Sequence, residues 1–163
     1  MAIDTTHDLF IYELGLAGEF EASGLRTLNF LAHRVSDGDL RRIVRDEQQE
    51  CVRQGENIKS CMEALGAFSL AVSPTTVDGI YGRFEAFVRT NPAPDILDQF
   101  GADTLIRFLY LGIAVHKTLI DWAILMNENQ CVGCLHENLV QKKESVAKIE
   151  RYSHELGVRL LVP

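Results

Sequence analysis

Apolar residues recur along the chain at steps of three and four, the spacing that lines one face of an α-helix. No segment alternates in the manner of a half-buried strand. The first run predicts a helix from Thr5 or Thr6 to about Arg34, with an inward seam of Phe10, Leu14, Ala17, Glu21, Gly24, Leu28 and Leu31. Ser36-Asp37-Gly38-Asp39 reads as a turn followed by an N-cap, because short polar side chains accept hydrogen bonds from first-turn amides. A second helix follows to Leu65, where Gly66 supplies a stop. Its seam is Leu40, Val44, Glu47, Cys51, Gln54, Ile58, Cys61 and Leu65.

The stretch AFSLAVSPTT is a break ending in a capping signal, and a shorter helix is expected from Val77 to Arg89 with Ile80, Phe84, Phe87 and Val88 inward. Thr-Asn-Pro-Ala-Pro-Asp is a second break, since each proline biases its predecessor away from helix. A third long helix then spans about Asp95 to Met126, its seam Leu105, Leu109, Gly112, His116, Leu119, Ala123 and Met126. The fourth runs from about Cys131 to Leu156, stopped by Gly157, with Leu135, Leu139, Lys142, Val146, Ile149, Ser153 and Leu156 inward. Two antiparallel hairpins joined by a long connection, itself carrying a short helix, make the second and third long helices parallel. The prediction is all-α: one ferritin-like four-helix bundle with a crossover, a single domain over residues 1–163.

Composition adds exclusions. The 163 residues carry 16 Lys and Arg against 23 Asp and Glu, a net charge of −7, and no basic block that would suit a phosphate backbone. Nucleic acid is therefore not an expected partner. The longest unbroken apolar stretch, Phe108 to Val115, is too short to span a bilayer, so no membrane partner is expected. The opening MAIDTTHDLF lacks the basic and apolar regions of a signal peptide. Four cysteines in a chain of this size do not suggest a disulfide scaffold, so reduced thiols and a cytoplasmic location are the expectation. No phosphate-binding glycine loop, dinucleotide fingerprint or serine-hydrolase elbow occurs. The arginines and lysine of the second helix, Arg41, Arg42, Arg45, Arg53 and Lys59, are expected on its solvated face. Phe84, Phe87, Tyr110 and Trp122 read as core or dimer contacts.

Candidate chemistry lies in the seams themselves. Glu21, Glu47, Gln54, His116 and Lys142 interrupt otherwise apolar faces near the middle of their helices. A buried charge is costly unless paired or ligated. Carboxylates and histidines projecting from four bundle helices are how di-iron sites are built. The bland alternative is a seam misplaced by one step, with some of these residues facing water. Lys142, flanked on its own face by Leu139 and Val146, is expected to occupy the space of a metal and to pair with Glu21, Glu47 or Glu50. The competing reading rotates the helix so that Lys142 snorkels to water beside Lys143.

A second candidate is the thiol cluster. Cys131-Val132-Gly133-Cys134 opens the fourth helix, where the dipole lowers a thiol pKa. The crossover topology brings Cys61 to the same end, with His136 or His154 as a conceivable fourth metal ligand. A single C-x-x-C is a weak zinc signal, and buried cysteines often serve as small hydrophobes. The structural role therefore takes precedence, for Cys51 as well.

The chain also resembles the YciE/YciF ferritin-like family. Asp8-Leu9-Phe10-Ile11-Tyr12-Glu13-Leu14 is similar to its opening segment, and Glu21 to Leu28 continues in register. Leu40 to Cys51, Val115 to Trp122 and Leu135 to Lys143 are similar to its three later helical motifs. By this resemblance Glu21, Glu50 and His116 are retained ligand positions. Glu47 stands where the family has histidine, and Val115, Thr118, Gln141 and Lys142 stand where it has glutamate. Two ferrous ions need anionic oxygen ligands, and here only the first helix pair supplies them. The resemblance thus implies a degenerate ferritin-like bundle without a di-iron centre, acting in binding, assembly or a stress response. Expected partners are a second copy of the chain in a homodimer, another protein or a small ligand. The alternative is a residual iron- or manganese-dependent oxidase or ferroxidase using Glu21, Glu50 and His116. A thiol sensor on Cys131 and Cys134 is the third reading.

Overall fold

The computed structural model describes residues 3–68 and 75–161, and among these only helices occur. Helix α1 spans Thr6–Arg34, α2 Gly38–Ala64, α3 Thr75–Val88, α4 Pro94–Leu125 and α5 Asn129–Leu161. Helix α1 starts with a capping box: Thr5 Oγ1 accepts from the Asp8 amide at 3.1 Å, and Asp8 Oδ2 accepts from the Thr5 amide at 3.0 Å. Asp37 caps α2, accepting from the amides of Asp39 and Leu40 at 2.9 and 3.0 Å. Gly66, at φ +60°, ends α2 as its sequence suggests, and Asn127, at φ 61°, turns the chain between α4 and α5. Most of the expected AFSLAVSPTT break lies outside the described residues.

Helix α1 packs against α2 and α4, and α5 packs against α4 and α2. The start of α1 shares a core cluster with the end of α2, the end of α4 and the start of α5, so each neighbouring pair is antiparallel. Helices α2 and α4 consequently run the same way, which is the expected crossover. The short α3 lies on α1 and α4, its Phe84 edge-on to Phe30 at 5.7 Å and its Phe87 stacked on Phe100. Arg26–Asp78 and Arg83–Asp103 contacts of 2.6 and 3.0 Å pin its two sides.

Two sequence expectations need correction. Gly157 does not stop α5, which continues to Leu161. A glycine costs a helix only about 1 kcal/mol, and Leu160 packs on the core while Arg159 reaches Asp37 at 3.8 Å. Arg41 is not simply solvated: its guanidinium donates to the carbonyls of Ala32 and Val35 at 3.3 and 2.7 Å, closing the end of α1. Helix α4 is long and apolar enough to cross a membrane by length and composition, although its unbroken apolar run is short. Its buried face, which includes Leu105, Phe108, Gly112, His116, Leu119 and Ala123, lies inside the bundle.

Buried Asp98 on α4 went unnoticed in the sequence. It accepts from the Ser36 amide and hydroxyl at 2.6 Å each and from the Asp37 amide at 3.0 Å. It thereby ties the second hairpin to the turn of the first. The apolar core itself falls into two clusters, one at the α1–α2 turn end and one at the opposite end. Between them lies a polar layer.

Candidate functional site

The polar residues that interrupt the seams near mid-helix are buried: Glu21, Glu47, Gln54, His116 and Lys142 are each at most 2% exposed. Their helical spacing leaves them no choice once Leu, Phe and Ala neighbours on the same face enter the core. Lys142 Nζ lies 2.8 Å from Glu21 Oε1, an ion pair in which both side chains are sealed from water. It is a charge contact rather than an aligned hydrogen bond. The ammonium also sits 5.4 and 5.6 Å from the ring centres of Phe20 and Phe108, which stack parallel at 4.7 Å. A cation over two aromatic faces gains further electrostatic stabilisation.

Two glycines make this arrangement fit. A Cβ at position 112 would meet Lys142 Cε at 2.8 Å and Cδ at 2.9 Å, and one at position 24 would overlap the Phe108 ring. Burial alone would push the Lys142 ammonium down, but the pull of Glu21 and Glu47 carries it above its ordinary value. The lysine is therefore charged in the folded protein.

Glu47 has neither carboxylate oxygen in an aligned hydrogen bond. Burial pushes its pKa up to about 7, against the opposing charge of Lys142 and the nearby Ser145 hydroxyl. Glu50 is not drawn into this group. It turns toward the rim, where Arg53 meets it at 3.3 Å. Glu47 and Glu50 line a cleft of about 180 Å³ between α2 and α5, together with Gln141, Ser145 and Lys148.

His116 is fully engaged. Its Nδ1 donates to the Gly112 carbonyl at 2.9 Å, and the hydrogen-bond network assigns Nε2 as acceptor from Asn138 Nδ2 at 3.2 Å. Asn138 Nδ2 also reaches the Gln54 carbonyl at 3.1 Å, and Asn57 Nδ2 donates to Asn138 Oδ1 at 2.8 Å. Burial, aided by the Lys142 charge, lowers the imidazole pKa, so the ring is neutral. Sequence reasoning missed Asn138 and Asn57. Asn138 lies four residues before Lys142 on the same helix, so the lysine's own spacing was the available signal.

The fit of a di-iron centre can be tested on these side chains. Glu21 is neutralised by an ammonium, Glu50 by a guanidinium, and both nitrogens of His116 are occupied. Val115 and Gln141 bring no charge, and exposed Thr118 donates to the Ala114 carbonyl at 3.3 Å. Among the described residues no group of three or more His, Cys, Asp or Glu is arranged to hold a metal. The donor set does not fit two divalent cations.

The thiol cluster forms where the crossover predicts, but without a histidine ligand. Cys61 and Cys131 are fully buried side by side, whereas Cys134 is partly exposed. His136 and His154 are exposed and complete no four-ligand set. His136 lies five residues beyond Cys131, which turns it to another face of the helix. Cys51 belongs to the apolar core, and burial pushes its thiol well above the ordinary value.

Fold and seam together define an all-α, ferritin-like four-helix bundle with a crossover helix. The chain belongs to the family described as a domain of unknown function (DUF892), whose model matches residues 5–159. Three solved structures share the fold. YciF, an E. coli stress protein, superposes with a TM-score of 0.90 at 19% identity, covering 94% of this chain and 97% of its own. YcfI from Rhodopseudomonas palustris gives 0.87 at 22% identity, covering 91% and 94%. A protein from Xanthomonas campestris pv. campestris gives 0.77 at 16% identity, covering 96% of each chain. No curated protein matches. The expected YciE/YciF-type resemblance is thus shown.

Two outcomes follow from the buried layer. Lys142→Met strands Glu21 and is expected to cost about 3–5 kcal/mol in urea unfolding, while the double variant with Glu21→Leu recovers most of that loss. An unaltered midpoint for the single variant would show that the pair is not coupled. Glu47 behaves oppositely to a salt-bridged acid. Its folded pKa of about 7 lies above the unfolded value of 4.5, so its contribution is complete below pH 4.5 and is lost as pH rises through 7. The stability of Glu47→Gln relative to wild type should therefore rise by about 3 kcal/mol between pH 4.5 and 8. A difference independent of pH would refute the assignment.

Proposed function

We propose that this protein is a ferritin-like bundle that works without a resident di-iron centre, its Lys142 ammonium standing where a metal cation would neutralise the seam carboxylates. The single observation that carries this reading is the sealed 2.8 Å contact between Lys142 Nζ and Glu21 Oε1. A protonated lysine offers no lone pair to a cation and repels one. Its role is then binding or assembly rather than iron oxidation, within the cytoplasm and as a homodimer. A stress-associated role is the reading suggested by the description of E. coli YciF.

A groove of about 610 Å³ between α1 and α2 supports the binding side of this proposal. Leu14, Ile58, Met62 and the exposed Phe68 line it, with Gly15 and Gly18 keeping its floor open. Its apolar walls suit a small apolar ligand or an apolar side chain of a partner. The ferroxidase alternative using Glu21, Glu50 and His116 is less well supported, because each of the three already has a protein partner.

Elemental analysis of protein purified from iron- and manganese-supplemented culture checks the proposal. The expected result is metal far below one atom per chain, unchanged in Glu21→Ala. Stoichiometric iron or manganese that disappears in Glu21→Ala would establish the residual metalloenzyme instead.

A further inference from the structure

We propose that Cys61 and Cys131 close a reversible disulfide that clamps α2 to α5, with Cys134 as the thiol that meets peroxide first. The two buried residues stand at the end of the bundle where α2 finishes and α5 begins. Their placement is reciprocal: Cys61 Sγ lies 3.9 Å from the Cys131 carbonyl oxygen, and Cys131 Sγ lies 3.8 Å from the Cys61 carbonyl oxygen. Each sulfur thus lies against the backbone of the other residue, at the contact between α2 and α5. Cys134 packs against the same cluster that holds Cys61 and Cys131, and both neighbours push the Cys61 thiol up.

Cys131 and Cys134 are three residues apart on α5 and share the face that α2 covers. Only Cys134 retains contact with solvent. The thiols are also electronically unequal. Hydrogen bonding from Cys61 holds the Cys131 thiol below its ordinary value, while that same contact and burial push Cys61 up. Such asymmetry supplies one sulfur that attacks readily and one that holds its proton until a bond forms.

The chemistry balances with hydrogen peroxide as oxidant. Cys134, as thiolate, attacks one peroxide oxygen, the O–O bond breaks, and the departing hydroxide leaves as water with the proton the thiol released. Cys61 sulfur attacks the resulting sulfenic sulfur, the S–O bond breaks, and hydroxide leaves as water with the Cys61 proton. Cys131 thiolate then attacks the Cys61 sulfur and displaces Cys134, which takes up a proton. Two thiols are oxidised to one disulfide, and one peroxide is reduced to two waters.

Cys51 lies ten residues before Cys61 on α2, about 15 Å along the axis, and serves as an internal control. The test uses the full-length reduced protein treated with equimolar hydrogen peroxide. Of the four free thiols, two should disappear, and tandem mass spectrometry of the digest should join Cys61 to Cys131. Because the bond would close a loop of 70 residues, Tm should rise on oxidation and return with dithiothreitol. Cys134→Ser should slow closure at least about tenfold, whereas Cys51→Ala should leave it unchanged. Circular dichroism confirms that each variant is folded, and the wild-type peptide map stands without them. A bond between Cys131 and Cys134, a link between chains, four intact thiols or an unchanged Tm would each overturn the proposal.

Discussion

The centre of this bundle is organised by one requirement: a carboxylate sealed from water needs a cation. Glu21 is carried into the core by the same helical period that buries Ala17 and Leu28, so its charge cannot escape without unwinding α1. Lys142 arrives from the diagonally opposite helix and meets it. Around that contact the neighbouring choices become intelligible. Gly112 leaves space for the lysine's methylenes, Gly24 leaves space for Phe108, and the stacked Phe20 and Phe108 rings present their faces to the ammonium. Burial and the nearby Lys142 charge keep His116 neutral, and its two ring nitrogens are engaged by Gly112 and Asn138.

The polar layer also divides the hydrophobic core. On either side of it the seams are apolar and pack as two clusters, each capped by short polar contacts at the helix ends. Asp98 and Arg41 hold one end together, and the reciprocal thiols of Cys61 and Cys131 mark the other. Replacing a buried ion pair by apolar residues is often neutral or stabilising, so the layer is better explained by specificity than by stability. It fixes which faces of α1 and α5 meet at mid-height, because a slip of one turn would leave two charges unpaired.

Much of this was legible in the sequence because the apolar period of α1, α2, α4 and α5 is strict. A residue at a seam position, such as Lys142, inherits the burial of Leu139 and Val146, whatever its own polarity. What could not be read depends on partners from distant segments. Asn57 looks like a surface residue until two helices are placed side by side. Glu50 is three residues from Glu47, yet Arg53 on the same helix draws it outward. Gly157 resembles a stop only in isolation, since packing of Leu160 outweighs its small helical penalty. The approach of Cys61 to Cys131 was legible from the crossover, whereas the exposure of His136 and His154 was not.

The most direct measurement is an anomalous-scattering map from crystals grown at neutral pH with a manganese salt. The account predicts no anomalous density among Glu21, Glu47 and His116, with Lys142 Nζ at ion-pair distance from Glu21. A manganese peak ligated by Glu21 and Glu47, with Lys142 swung away from the bundle centre, would contradict it.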